Sequence, residues 1–146
     1  MLSAILPMMQ EFLRTYLFLI PLVVLVLAEV TKMVVEHVKT GSGHLRLFHP
    51  GGMPSSHSAF VMSLLIVVGK KLGMESVEFA IAFVFAAITW YDAMSSRRAI
   101  GDQAKVLNRL QKWQHFTETL GHSFKEVIAG IAFGAVVTVI GIAIAG

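Results

Sequence analysis

Four long apolar segments constrain the fold of this chain more than any other feature of its sequence. They occupy residues 16–35, 58–72, 77–94 and 122–145. Of the 146 residues, 55% are hydrophobic and only 14% are charged, which is too apolar for an ordinary soluble domain. A run of about 20 apolar residues is typical of a helix that crosses a bilayer. We therefore predict an all-α integral membrane helical bundle with about four transmembrane helices, folded as a single membrane domain over residues 1–146.

The polar segment 95–121 predicts one further helix. Its apolar residues recur at helical spacing, with basic residues among them, and they are Val106, Leu110, Trp113 and Phe116. An amphipathic pattern of this kind is typical of a helix that lies in the membrane interface. A helix packed against the bundle is the alternative. The other polar segment, residues 36–57, is rich in Gly and His and predicts a loop.

The basic residues gather on one side of the predicted bundle. Four crossings would place nine of them on one membrane face, namely Lys32, Lys39, Arg46, Arg97, Arg98, Lys105, Arg109, Lys112 and Lys125. The positive-inside rule then predicts a cytoplasmic location for this face, although phosphate-binding cations would produce the same bias. The chain has no cysteine, so disulfides and thiolate metal ligands are excluded. We also expect no removable signal peptide, because the N-terminus lacks a charged region and a cleavage site.

The run Gly-Gly-Met-Pro-Ser-Ser-His-Ser-Ala at residues 51–59 stands where a polar loop becomes an apolar helix. Unpaired N–H groups and the helix dipole favour an anion at such a helix start, and Ser55 and Ser56 add hydroxyl groups. His57 adds a proton that can be given or taken near neutral pH. The run therefore predicts that a phosphate is handled at the membrane surface.

A second histidine begins the fourth apolar segment. Glu126 follows His122 by four residues, so a helix would place both on one side. A carboxylate at that spacing can fix the imidazole tautomer and leave the other ring nitrogen free to attack. We also expect two ion pairs, Glu29 with Lys32 on the face of the first helix and Asp92 with one of the following arginines.

These motifs resemble those of the type-2 phosphatidic acid phosphatase / vanadium haloperoxidase superfamily. The resemblance rests on Pro-Ser-Ser-His at 54–57, Ser-Arg-Arg at 96–98, and Gly-His-x-x-x-Glu at 121–126 before a Gly-rich apolar helix. The order Asp92, Arg97-Arg98, Gly101, Gln103-Ala104 and Leu107-Asn108 is similar to the small divergent branch found in bacteria and plants. The resemblance covers residues 28–134 and implies a protein of the bacterial plasma membrane.

The resemblance also implies roles for individual residues. His122 would be the nucleophile, His57 would protonate the leaving oxygen, and Glu126 would replace the aspartate that supports the nucleophile. The implied phosphate-binding residues are Lys32, Lys39, Arg46, Ser55, Ser56, Arg97 and Arg98. Besides Glu126, and Ser56 in place of a glycine, two further features depart from the superfamily pattern. Lys39 and Thr40 stand where Arg-Pro is expected, with Arg46 as a replacement, and 24 residues separate Arg97 from His122.

The implied function is hydrolysis of a lipid phosphate monoester or pyrophosphate through a phosphohistidine, with no metal and no other cofactor. The expected partners are a membrane lipid phosphate and the bilayer, and no nucleic acid is expected. The alternative is a non-catalytic membrane protein that binds or translocates a lipid phosphate. Gly130 and Gly134 form a small-x-x-x-small face, which predicts close helix packing within the protomer or, alternatively, a homodimer interface.

Overall fold

The described part of the chain is helical throughout its regular elements. The computed structural model describes residues 7–8, 11, 15–41 and 52–145. The principal helices within these ranges are α1 (Leu19–Thr40), α2 (Ser56–Leu72), α3 (Val77–Met94), α4 (Ser96–Leu110) and α5 (Phe124–Ala145). The prediction of an all-α bundle is confirmed, and the third apolar segment matches α3 in both of its bounds.

Helix α2 lies at the centre of the bundle. It packs against α1, α3 and α5, and α1 also packs against α5. The buried core joins Ile20, Val24 and Ala28 of α1 to Ala59 and Val67 of α2. With 17 residues, α2 is about 25 Å long, which is short for a full crossing. Its neighbours on three sides explain why a short helix suffices at this position.

The small residues of α5 bring its backbone into contact with α2. A Cβ atom added to Gly130 would lie 2.4 Å from the carbonyl oxygen of Ser55, and one added to Gly134 would lie 2.4 Å from that of Ala59. One turn further on, Thr138 Oγ1 lies 2.7 Å from Ser63 Oγ, and both side chains are fully buried. The predicted packing of the small-x-x-x-small face within the protomer is confirmed.

The outer surface of the bundle is apolar. Two stretches, Val77–Leu110 and Phe124–Ala145, are long and apolar enough to cross a membrane, yet their most apolar windows are only 17% and 22% buried. The core helix of a soluble protein would be mostly buried, so this exposed apolar surface suits contact with lipid. Helix α1, whose second half carries several charges, and the shorter α2 complete the membrane bundle.

The predicted loop over residues 36–57 begins too early. Residues 36–40 continue α1, and the helix ends at Gly41, whose φ of 64° is left-handed. The N–H of Gly41 still donates to the carbonyl of His37 at 2.9 Å. Glycine adopts this conformation at little cost, so it commonly ends helices. Polar composition alone predicted a loop and missed the absence of any helix-breaking residue before Gly41.

The predicted amphipathic helix over 95–121 is wrong beyond Leu110. Helix α4 ends there, Gln111 is extended, and residues 111–123 run back along α4. Trp113 and Phe116 therefore do not extend the apolar face of the helix. The part that is helical remains amphipathic, because Gly101 and Ala104 are buried whereas the large apolar residues of α4 are exposed. The exposed apolar residues are Ile100, Val106, Leu107 and Leu110.

The contact between α5 and α2 predicts opposite outcomes for two glycines of the same helix. Gly134→Ala should lower the free energy of unfolding by about 1–3 kcal/mol, because the new methyl group overlaps the Ala59 backbone. Gly141→Ala is the matched control, since its Cβ would meet Ile20 at an ordinary 3.4 Å. Denaturant unfolding in detergent, followed by circular dichroism, measures both variants. Equal stabilities for the two would contradict this packing.

Candidate active site

A cavity of about 510 Å³ opens beside the start of α5. Its walls come mainly from α4 and from the segment that returns along it. The lining residues are Glu36, Gly52, Arg98, Asp102, Lys105, Glu118, Thr119, Leu120, Gly121, His122, Ser123 and Glu126. The cavity thus brings together two cations, one histidine and several carboxylates, and it contains His122, Arg98 and Glu126 from the predicted site.

Gly121 explains how His122 reaches Arg98 across 23 intervening residues. Its φ is 85°, and an added Cβ would lie 2.5 Å from the backbone nitrogen of Arg98. The next residue is fixed as well, because His122 N–H donates to the carbonyl of Ala93 at 2.9 Å. Main-chain contacts on both sides therefore hold His122 against the junction of α3 and α4.

Asn108 holds the return segment against α4. Its Nδ2 donates to the carbonyl of Phe116 at 2.9 Å and to Glu118 Oε1 at 2.8 Å, and its Oδ1 accepts from Phe116 N–H at 2.9 Å. Gly101 lets the return segment touch α4, since its Cβ would lie 2.8 Å from the carbonyl oxygens of Glu118 and Leu120. The long insertion is therefore folded back on itself and forms the cavity wall.

Glu126 serves the start of α5 and also lies near His122. Its Oε2 accepts from Ser123 N–H at 2.6 Å, while Ser123 Oγ accepts from Glu126 N–H at 3.4 Å. This reciprocal pair is a capping box. The same Oε2 is 3.6 Å from His122 Nδ1, which is longer than a hydrogen bond. Within the described residues, Nδ1 is buried and has no hydrogen-bond partner.

The surroundings of His122 favour its neutral form. Burial lowers the pKa of the imidazole below its usual value, the Glu126 carboxylate opposes this change, and the charges of Lys32 and His57 lower the pKa further. A neutral imidazole keeps a lone pair, which a nucleophile needs.

Lys32 lies behind the cavity wall in a buried ion pair. Its Nζ is 2.9 Å from Glu29 Oε2, and the two residues are 4% and 3% exposed. The Ser56 hydroxyl donates a short hydrogen bond to the same carboxylate. Gly52, which lines the cavity, lies over the stem of Lys32, because its Cβ would be 3.2 Å from Lys32 Cγ. The predicted pairing of Glu29 with Lys32 is confirmed.

Ser55 forms the start of α2. Its Oγ accepts from Ser58 N–H at 3.4 Å and lies 3.0 Å from Ser58 Oγ. Its N–H donates to the carbonyl of Glu126 at 3.2 Å, which joins the first turns of α2 and α5. The hydroxyls of Ser55 and Ser56 are thus engaged in internal contacts. His57 is exposed on the first turn of α2 and is not among the residues that line the cavity.

The remaining predicted cations of the described residues do not line the cavity. Arg97 Nε is 2.7 Å from Asp92 Oδ2 on the surface, which confirms that Asp92 pairs with an arginine. Lys39 is exposed near the end of α1 and does not line the cavity. Arg46 lies outside the described residues. Of the predicted phosphate-binding cations in the described ranges, only Arg98 lines the cavity.

Asp102 and Lys105 are cavity residues that sequence reasoning missed. Lys105 Nζ is 2.8 Å from Asp102 Oδ1, and both line the same cavity as Arg98. The spacing of Arg98, Asp102 and Lys105 by four and then three residues places all three on one helix face. That spacing is visible in the sequence and could have identified the set.

The burial of His122 predicts that its imidazole loses its proton at a lower pH than an exposed histidine does. In nuclear magnetic resonance spectra of the detergent-solubilised protein, its imidazole should lose its proton with a midpoint below the ordinary value of about 6.5. Glu126→Gln should lower that midpoint further, because it removes the carboxylate that favours the protonated ring while a glutamine can still complete the capping box. His122→Asn assigns the resonance. A midpoint above the ordinary value would contradict the burial described here.

Comparisons with known proteins agree with the family resemblance that the sequence motifs indicated. The uncharacterized membrane protein YuiD of Bacillus subtilis (strain 168) is 32% identical to the chain, over 90% of the chain and 96% of that protein. No solved structure matches the chain. The sequence model of one family matches residues 13–137, which include both histidine motifs, the arginine pair and the small-residue face of α5. The chain is a membrane protein and belongs to the Divergent PAP2 family.

Proposed function

We propose that this protein is a membrane phosphatase that hydrolyses a lipid phosphate monoester or pyrophosphate through a phosphohistidine at His122. The observation that carries the proposal is the contact of Gly121 with Arg98, which brings a half-buried histidine and an arginine to one cavity across the long insertion. A neutral imidazole can attack a phosphate, and a guanidinium in the same cavity can stabilise the charge that develops.

The proposed reaction uses side chains alone and has two steps. A ring nitrogen of His122 attacks phosphorus, the bond to the leaving alkoxide or phosphate breaks, and His57 donates a proton to the leaving oxygen. Water then attacks the phosphohistidine and loses its proton to His57, which frees His122 and inorganic phosphate. Arg98 holds the non-bridging oxygens through its planar fork as charge develops. Glu126 supports the imidazole from the side of Nδ1.

The position of the cavity supports a lipid substrate. It lies at the start of α5, next to helices whose outer surfaces are apolar and exposed. A phosphate head group could enter the cavity while its hydrocarbon chain stays in the bilayer. The excess of basic residues on this side supports a cytoplasmic location for the site.

One set of observations favours a second function, binding or translocation of a lipid phosphate without hydrolysis. The ammonium of Lys32 and the hydroxyl of Ser56 are engaged with Glu29, and His57 does not line the cavity. A protein that has lost the arrangement of its general acid could still bind phosphate through Arg98. The two functions differ in whether phosphate is released from the lipid.

Phosphate release distinguishes them. The protein, purified in detergent, is given phosphatidate, phosphatidylglycerol phosphate and a polyprenyl diphosphate. We expect release from at least one of these lipids, no release by His122→Ala, and a rate roughly 100- to 10,000-fold lower for His57→Ala, the range expected for losing a general acid.

A trapping experiment tests the intermediate. Rapid quenching in alkali, where phosphohistidine survives, should recover labelled phosphate on the wild-type protein and none on His122→Ala. Binding of these lipids without release of phosphate by the wild type would support the second function. Undiminished turnover by His122→Ala would refute the phosphohistidine.

A further inference from the structure

We propose that Lys105 is the second phosphate-binding cation of this cavity and that Asp102 occupies its ammonium until the ligand arrives. The ligand class is a phosphate group, either free or as a lipid head group. The inference rests on the proposed function for the presence of a phosphate in the cavity, but it concerns binding and not turnover.

Within the described residues, the other cations that the sequence predicted do not line the cavity. Lys32 is buried against Glu29 behind the wall that Gly52 forms. Arg97 pairs with Asp92, and neither lines the cavity. Arg98 and Lys105 are the lysine and arginine residues of the described chain that do line it. A phosphate that enters the cavity therefore meets Lys105 in addition to Arg98.

Helix α4 presents both cations from one face. Arg98 and Lys105 are seven residues apart, which is nearly two full turns, and Asp102 lies between them on the same face. His122 lines the same cavity and is held beside the start of α4 by the contact of Gly121 with the Arg98 backbone. A phosphate in this cavity would accept a paired hydrogen bond from the guanidinium and a single charged contact from the ammonium.

The ion pair between Lys105 and Asp102 is suited to being replaced by a contact between Lys105 and a phosphate. Its atoms are 2.8 Å apart, and the side chains of Lys105 and Asp102 are 49% and 62% exposed. Ion pairs this exposed contribute little to stability, so their separation costs little. A phosphate brings up to two negative charges and several acceptor oxygens, whereas Asp102 brings one charge. The ligand therefore displaces the carboxylate, and the carboxylate weakens the binding of the ligand.

Substitutions of the two residues should change affinity in opposite directions. Lys105→Ala should raise the Kd for phosphate about 3- to 10-fold, as expected for the loss of one partly exposed charged contact. Asp102→Asn should lower the Kd by roughly 2- to 5-fold, because the competing charge is removed. Arg109→Ala is the control, a cation on the same helix that does not line the cavity, and it should leave the Kd unchanged.

Isothermal titration calorimetry of the full chain in detergent measures these constants. One arm uses inorganic phosphate and the other uses phosphatidate in mixed micelles, so that a preference for the free ion or for the lipid becomes visible. Thermal unfolding of each variant checks that the fold is retained. The expected order of affinity in either arm is Asp102→Asn, then wild type with Arg109→Ala, then Lys105→Ala.

Equal effects of Lys105→Ala and Arg109→Ala would overturn the inference, and so would wild-type protein that binds neither probe. The proposed phosphatase is judged separately by phosphate release. Turnover that depends on His122 but not on Lys105 would retain the phosphatase and reject this inference. Binding that depends on Lys105, without turnover on any lipid, would retain the inference and reject the phosphatase.

Discussion

The close contact between α5 and α2 determines how the other parts of this molecule are arranged. Two glycines leave no side chain between the helices, so the backbones at Gly130 and Gly134 contact those at Ser55 and Ala59. The attraction between helices inside a membrane comes largely from such packing, because lipid is as apolar as the helices themselves. The hydrogen bond from Ser55 to the carbonyl of Glu126 continues this contact up to the first turns of both helices. As a result, the two histidine motifs start at the same level of the bundle.

The insertion between α3 and α5 completes the site. Polar contacts of Asn108 hold residues 111–123 against α4, and the absence of side chains at Gly101 and Gly121 lets the two backbones touch. These contacts fix the backbone, and the backbone in turn brings Arg98 and His122 to the same cavity. Spacing along this chain is therefore a poor guide to distance within the fold.

The membrane helices could be predicted from the sequence because their length and composition are imposed by the bilayer. The start of α3 is a good example, since Ser76 accepts from Phe79 N–H and the apolar run begins directly after it. The end of α4 could not be predicted in this way. Periodic apolar residues continue to Phe116, and the tertiary contact of Asn108 with Phe116 shows that the chain has already reversed.

The candidate site could be predicted only in part, because motifs and helical spacing are visible in the sequence whereas tertiary contacts are not. Motif residues identified Arg98 and His122, and helical spacing identified the pairing of Glu29 with Lys32. The engagement of Ser55 in a helix cap and of Ser56 with a buried carboxylate depends on which helices are neighbours. A linear pattern does not contain that information. Lys105 was missed because it was counted only among the basic residues of one membrane face and matched no motif.

The origin of the cavity wall has a consequence for how this protein can change by substitution. Most of the cavity wall comes from one continuous stretch, from Arg98 to Ser123, whereas the bundle contributes little beyond Gly52, Glu36 and Glu126. Substitutions within this stretch can alter the shape and charge of the cavity, and the helices that anchor the protein in lipid need not change with it. The cavity and the membrane bundle can therefore evolve under separate selection.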